Sequence, residues 1–114
     1  MSRQAIPILT LTVTLAGTVA AHRFVTPAGA QAGADANTLG VSRTAGVSGD
    51  KIPVDVLGTA IVETGAAITA GATLETDASG RAVTFAISGG KVAIALEDAS
   101  AAGQFIEVLL LPNA

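Results

Sequence analysis

His22 is the single histidine of the chain, and cysteine is absent. Those two facts limit most of the chemistry a side chain can do. A serine–histidine–aspartate relay would have to run through His22, and no Gly-x-Ser-x-Gly turn offers it a nucleophile. Beside Arg23 and Phe24, His22 reads as a surface or packing residue. Zinc takes three or four nitrogen or sulfur ligands, which one histidine without cysteine cannot supply. The carboxylates Asp35, Asp50, Asp55, Glu63, Glu75, Asp77, Glu97, Asp98 and Glu107 could yield an acid–base pair in three dimensions. Their spacing selects no pair, and solvated faces account for them all. Asp77-Ala78-Ser79-Gly80 reads as a turn, because a calcium loop needs more oxygen ligands at close spacing. Ser88-Gly89-Gly90-Lys91 lacks the leading glycine and following helix of a phosphate loop, and reads as a hairpin. Thr10, Thr12 and Thr14 form a short ladder of ordinary solvent-facing strand composition. The expectation is a non-enzymatic chain with no catalytic residue, metal or cofactor.

Charge points away from nucleic acid. The formal net charge is −3, and the basic residues Arg3, Arg23, Arg43, Lys51, Arg81 and Lys91 stand singly. A nucleic-acid surface clusters such charges and interleaves aromatics for stacking. Here the aromatic residues are Phe24, Phe85 and Phe105, with no Trp or Tyr. The absence of Trp and Tyr also argues against sugar stacking. A core built mostly from Ala and Val is thin in large side chains, so contact with neighbouring subunits is an evident source of further burial.

The elements that would position these residues are short strands. Leu9, Leu11, Val13 and Leu15 alternate with Thr10, Thr12 and Thr14, which predicts a strand over Ile8 to Leu15. The uncharged stretch from Gln4 to Ala21 after Arg3 superficially resembles a secretory signal. Its period of two favours the strand, and it is too polar and short for a membrane span. Further strands are expected at Arg23 to Val25, Leu39 to Val41 and Lys51 to Val62. Pro53 marks an edge or an interrupted ladder in the last of these, and Gly58 marks a bulge. Ala28 to Asn37 reads as a surface loop, and a strand runs through Leu74. Arg81 to Ser88 is expected to pair through Gly89-Gly90 with Val92, Ile94 and Leu96. Asp98 to Gly103 is the one place for a helical turn. The last strand, Phe105 to Leu111, is apolar on both faces. It is therefore buried on both, within the domain or against another subunit. No long repeat is legible. The fold class is all-β: a compact sandwich or barrel-like domain over residues 8–114, preceded by an arm over residues 1–7.

The order of these segments resembles the small head decoration, or capsid cement, proteins of tailed bacteriophages. The matching run begins at His22-Arg23-Phe24-Val25-Thr26 and continues through Leu39-Gly40-Val41, Ala45-Gly46, Ile52-Pro53-Val54-Asp55-Val56 and Gly58-Thr59-Ala60. Its most distinctive part is Val62 to Val83, with Gly65-Ala66-Ala67-Ile68, Ala70-Gly71, Thr76-Asp77-Ala78 and Gly80-Arg81-Ala82. Ala95-Leu96-Glu97-Asp98-Ala99 and Ile106-x-Val108-Leu109-Leu110 complete it, so the likeness covers about residues 20 to 111. The N-terminal strand matches less well. The resemblance implies a virion protein that binds the outside of the head and bridges neighbouring major capsid protein subunits. It also implies that the protein resists the pressure of packaged DNA. Trimers are implied as the self-association, with dimers as the alternative; the scattered charge and the polarity noted above argue against nucleic acid and membrane as partners. Capsid and subunit contacts are expected from the chain ends and the short strand at Phe24, with Ile6, Ile8, Arg23, Phe24, Leu109 and Leu111 as contact residues. The alternative is a secreted bacterial surface or fibre-like β module, suggested by the signal-like N-terminus.

Overall fold

The computed structural model describes residues 5–34, 36–86 and 90–111. Among the described residues there are eight strands: β1 Pro7–Thr14, β2 Phe24–Val25, β3 Gly40–Ser42, β4 Lys51–Glu63, β5 Thr73–Thr76, β6 Ala82–Thr84, β7 Ala93–Ala95 and β8 Phe105–Leu110. They join one antiparallel sheet in the order β2-β3-β4-β8-β7-β5-β6, with β1 also paired to β4. The sheet curls into a barrel-like body. A bridge from Thr64 to Ala82 brings the end of β4 back to β6.

The long strand β4 is where local sequence explains most. Its first half pairs with β1 and β3, and its second half with β8. Gly58 between them takes a φ of 93°, and a Cβ there would strike the Ile6 carbonyl. The β1 register slips on either side of Leu9, opposite this point, as a bulge requires. Pro53 accepts from the Arg43 N–H at 3.2 Å. In an antiparallel ladder a residue's N–H and C=O face the same neighbour. The N–H that Pro53 lacks therefore faces β3 just past its last residue, Ser42, and the ladder is interrupted there as expected.

Several sequence-based expectations are corrected. β5 pairs antiparallel with both β6 and β7, so β6 and β7 run parallel with β5 between them and form no hairpin. Gly89 of the expected turn, like Asp35 and Pro112, lies outside the described residues. Asp98 to Gly103 makes no helical turn. Ala99 exchanges two 2.8 Å backbone bonds with Ile68, and the Asp98 carboxylate accepts from the Ala70 N–H at 2.7 Å. Those cross-chain partners outcompete a single helical turn, which is costly to nucleate. The loop after β2 is not merely superficial. Ala32 is buried in the main core, and the Thr76 hydroxyl donates to the Gly33 carbonyl at 2.6 Å.

The chain also contains a repeat that its side chains conceal. Val13 faces Ile52 as Val62 faces Ile106. Ser42 faces Val54 as Ala95 faces Val108, and Phe24 faces Val41 as Thr73 faces Ile94. The loops agree: Val19 exchanges backbone bonds with Gly46 as Ile68 does with Ala99. Left-handed residues recur in step, Gly29 with Gly80 and Gly49 with Gly103. His22, at φ 61°, stands where the second half has Gly71 at 90°. Thus β1, the first half of β4, β3 and β2 correspond to the second half of β4, β8, β7 and β5.

The core follows this plan. Leu15, Val19, Val25, Ile52 and Val54 form the smaller cluster. Their counterparts Ile68, Leu74, Ile106 and Val108 lie in the larger cluster, and Thr64 is likewise buried. Phe24, Ala32 and Val41 from the first half also belong to the larger cluster, so the first half packs onto the core of the second.

Candidate interaction surface

Strand β1 is an edge strand with little of it buried. Ile8 is 79% exposed and Ile6 59%, and Leu9 and Leu11 are exposed as well. Such an edge normally carries charge or proline to block pairing with other chains. Here Pro7 stands only at the start, and Ile8 to Thr14 has no charge. The strand is nonetheless firmly held. Asp55, 3% exposed, accepts from the Thr10 hydroxyl at 2.8 Å and from Arg43 Nε at 2.9 and 3.1 Å. The Ile6 N–H donates to Thr59 Oγ1 at 2.7 Å, and the Thr59 N–H donates to the Ile6 carbonyl at 3.1 Å.

Thr59 in turn pairs with Leu109 of β8. The fold therefore places Ile6 and Leu109 about two strand spacings, or about 10 Å, apart. Leu109 is 39% exposed, while Ile106, Val108 and Leu110 on the opposite face of β8 are buried. Of the two apolar faces read from the sequence, one is core and the other is partly open. Leu111 is half-buried, and its N–H donates to the Val92 carbonyl at 3.1 Å.

Arg23 lies away from this pair. Its guanidinium bonds Glu63 Oε1 at 3.0 and 3.2 Å and the Ser79 carbonyl at 2.9 Å. Glu63 pairs with Phe105, four residues along β8 from Leu109, or about 13 Å. Phe24 is removed from the contact set altogether. It is 0% exposed, because its side chain points into the core shared by the two halves and offers nothing to a partner.

Among the described residues five further large apolar side chains are exposed: Val47, Leu96, Leu57 beside β1, and Leu9 and Leu11, which the alternation places inward. Leu11 does lie on the inner face, opposite Val54, but the first half leaves that end of its core uncovered. Strand periodicity fixes a face and is silent on whether anything covers it. Among the described residues no three histidine, aspartate or glutamate side chains come together as a metal site.

The family model described as phage cement protein matches residues 3–110. A comparison with curated proteins finds no match. Among solved structures, the chain is similar to the crystal structure of the head fiber gp8.5 N base in bacteriophage phi29. That likeness has a TM-score of 0.73 at 21% identity, over 90% of this chain and 93% of that one. At this identity it bears on the fold alone, which it matches over nearly the whole length. The family match sets aside the secreted-module alternative and gives the chain a structural, capsid-associated role in the virion. On the match over residues 3–110, the chain belongs to the phage cement protein family.

Proposed function

We propose that this protein sits on the outer surface of a tailed-phage head as a homo-oligomer and bridges neighbouring major capsid protein subunits. In doing so it stabilises the shell against the pressure of packaged DNA. The observation that carries this reading is the uncharged, exposed apolar edge of β1 on a chain of the cement family. An edge of this kind binds an extended segment of another protein through backbone bonds and apolar side chains. A homotrimer is the proposed form, with a dimer as the alternative. An oligomer engaging several lattice points at once gains about 10²–10⁴ in avidity over one contact, so a weak contact per subunit suffices.

The test is co-sedimentation with heads that lack this protein. Ile8→Asp and a deletion of residues 1–7 both reduce binding, while circular dichroism and melting show Ile8→Asp still folded. Undiminished binding by both variants refutes the N-terminal contact. Bridging is read separately: decorated, DNA-filled heads release DNA at a higher temperature than bare ones, and equal release temperatures refute the stabilising role.

A further inference from the structure

The internal repeat leaves each half of the molecule with one unmatched surface. In the first half, Phe24, Val41 and Asp55 form a cross-strand row, of which Phe24 and Val41 are buried in the second half's core. The matching row in the second half is Thr73, Ile94 and Leu109, paired across β5, β7 and β8. It lies open: Thr73 and Ile94 are only partly buried, and Leu109 and its neighbour Leu96 are exposed.

The converse holds for the receiving side. Leu11, Leu39 and Val56 line an open groove of about 460 Å³, together with Leu9 and Leu57. Their counterparts by register, Ala60, Val92 and Leu110, are buried in the same cluster as Phe24 and Val41. The second half thus has its groove filled by the first half of the same chain, and the first half has its groove empty. Among the described residues no charged side chain lines this groove, and the Thr73, Ile94 and Leu109 row is uncharged too. Aliphatic surface of this kind, on both sides of a potential contact, gains by leaving water.

We infer that two copies of this chain associate head to tail, the Ile94–Leu109 row of one seating in the Leu11–Leu39–Val56 groove of the next. The contact repeats between chains the packing that the two halves already make within one. Such a heterologous contact uses two different patches and closes into a ring when its rotation allows. This rests on the self-association proposed above and specifies its geometry; it does not depend on which capsid segment meets β1.

The experiment uses the full chain and its mass in solution, read by light scattering and native mass spectrometry. Wild-type protein is an oligomer. Leu109→Asp and Leu57→Asp, on opposite sides of the contact, each fall to the monomer mass of 11.1 kDa. Mixed in equal amounts they form a heterodimer, because each retains the surface that the other has lost. An isologous contact predicts no such rescue, so two monomers after mixing overturn the proposal. If either aspartate variant fails to fold, the cysteine-free chain allows a second measurement. Leu109→Cys and Leu57→Cys together give an oxidised heterodimer, whereas each alone gives none. A Leu109→Cys homodimer, or no cross-link in the mixture, refutes the head-to-tail geometry. A wild-type chain that is monomeric yet still binds heads removes self-association and leaves the capsid role standing.

Discussion

Replacing Phe24 by alanine tests how the two halves are joined. An aromatic side chain buries about 150–250 Å², which at about 25 cal/mol/Å² is an upper bound of about 4–6 kcal/mol. Truncations of this kind cost about 3–5 kcal/mol, depending on how far the surroundings collapse. Here they have little freedom to do so. The Phe24 N–H donates to the Gly80 carbonyl at 2.8 Å, and its own carbonyl accepts from Ala32 at 2.9 Å. Val41 is held opposite it in β3. With its walls tied by backbone bonds, the cavity persists, and a loss of about 4 kcal/mol is expected. An unfolding entropy of about 2.1 cal/mol/K per residue converts this to a fall in Tm of about 17 °C for a chain of this length. Urea unfolding followed by far-ultraviolet circular dichroism is the assay, since the chain has no tryptophan or tyrosine to report by fluorescence. Wild type and variant are compared at one protein concentration, because association adds to apparent stability. A loss below about 1 kcal/mol, the size of an average substitution, refutes the placement of Phe24 as the shared core residue.

Three further predictions use the same assay. A Cβ at Gly40 runs into the Asp55 carbonyl, whereas a Cβ at Gly33 meets no heavy atom of the described residues within 4 Å beyond its chain neighbours, so Gly40→Ala is strongly destabilising and Gly33→Ala changes stability by no more than about 1 kcal/mol. Asp55→Ala removes the anchor shared by Thr10 and Arg43 and costs about 1–3 kcal/mol. Hydrogen exchange shows its signature as faster exchange along β1 than along β8, and equal acceleration in both strands counts against a local anchor. At His22, glycine relieves left-handed strain of about 1–2 kcal/mol but forfeits the edge-on contact with Phe105 at 5.5 Å, so His22→Gly is near neutral. His22→Val loses the contact and keeps the strain, so its Tm falls below that of both wild type and the glycine variant.

What the sequence disclosed was governed by local rules. Threonine–leucine alternation placed β1, Pro53 and Gly58 marked the irregularities of β4, and Asp77 to Gly80 turned as read. In that turn the Asp77 carboxylate accepts from the Ser79 and Arg81 N–H groups at 2.8 and 2.9 Å. Non-local pairing was beyond such rules. Nothing near Gly90 announces that β5 lies between β6 and β7, because β5 precedes both strands, taking β6 on one edge through the Asp77 to Gly80 turn and β7 on the other. Phe24 is expected at a contact because it lies on the short strand at Arg23 to Val25. Its burial depends on a surface made by the other half. Of the residues expected at contacts, Ile6, Ile8 and Leu109 are exposed, since each lies where the fold runs out of its own cover. The repeat was illegible because its halves share register and turn geometry while their side chains have diverged. Leu15 corresponds to Thr64 and Asp55 to Leu109, pairs that no similarity of residue type would align.

The repeat also explains how a chain so poor in aromatics holds together. Small residues serve the larger core: Ala60, Ala82, Ala93, Ala95 and Ala99 are all buried there. They let short strands wrap tightly, but each contributes little apolar area, at about 25 cal/mol/Å². Neither half has enough large side chains to be stable on that basis alone. Two features keep the halves from unfolding independently. Strand β4 belongs to both ladders, so fraying one end of it disturbs the other. Phe24 and Val41 are strand residues of the first half and core residues of the second. Loss of the first half therefore exposes the second half's core, loss of the second leaves Phe24 and Val41 uncovered, and unfolding in one cooperative step is the expected outcome. In the role proposed above this arrangement is an advantage, because strain entering at β1 would be carried through β4, which belongs to both ladders, into the whole sheet.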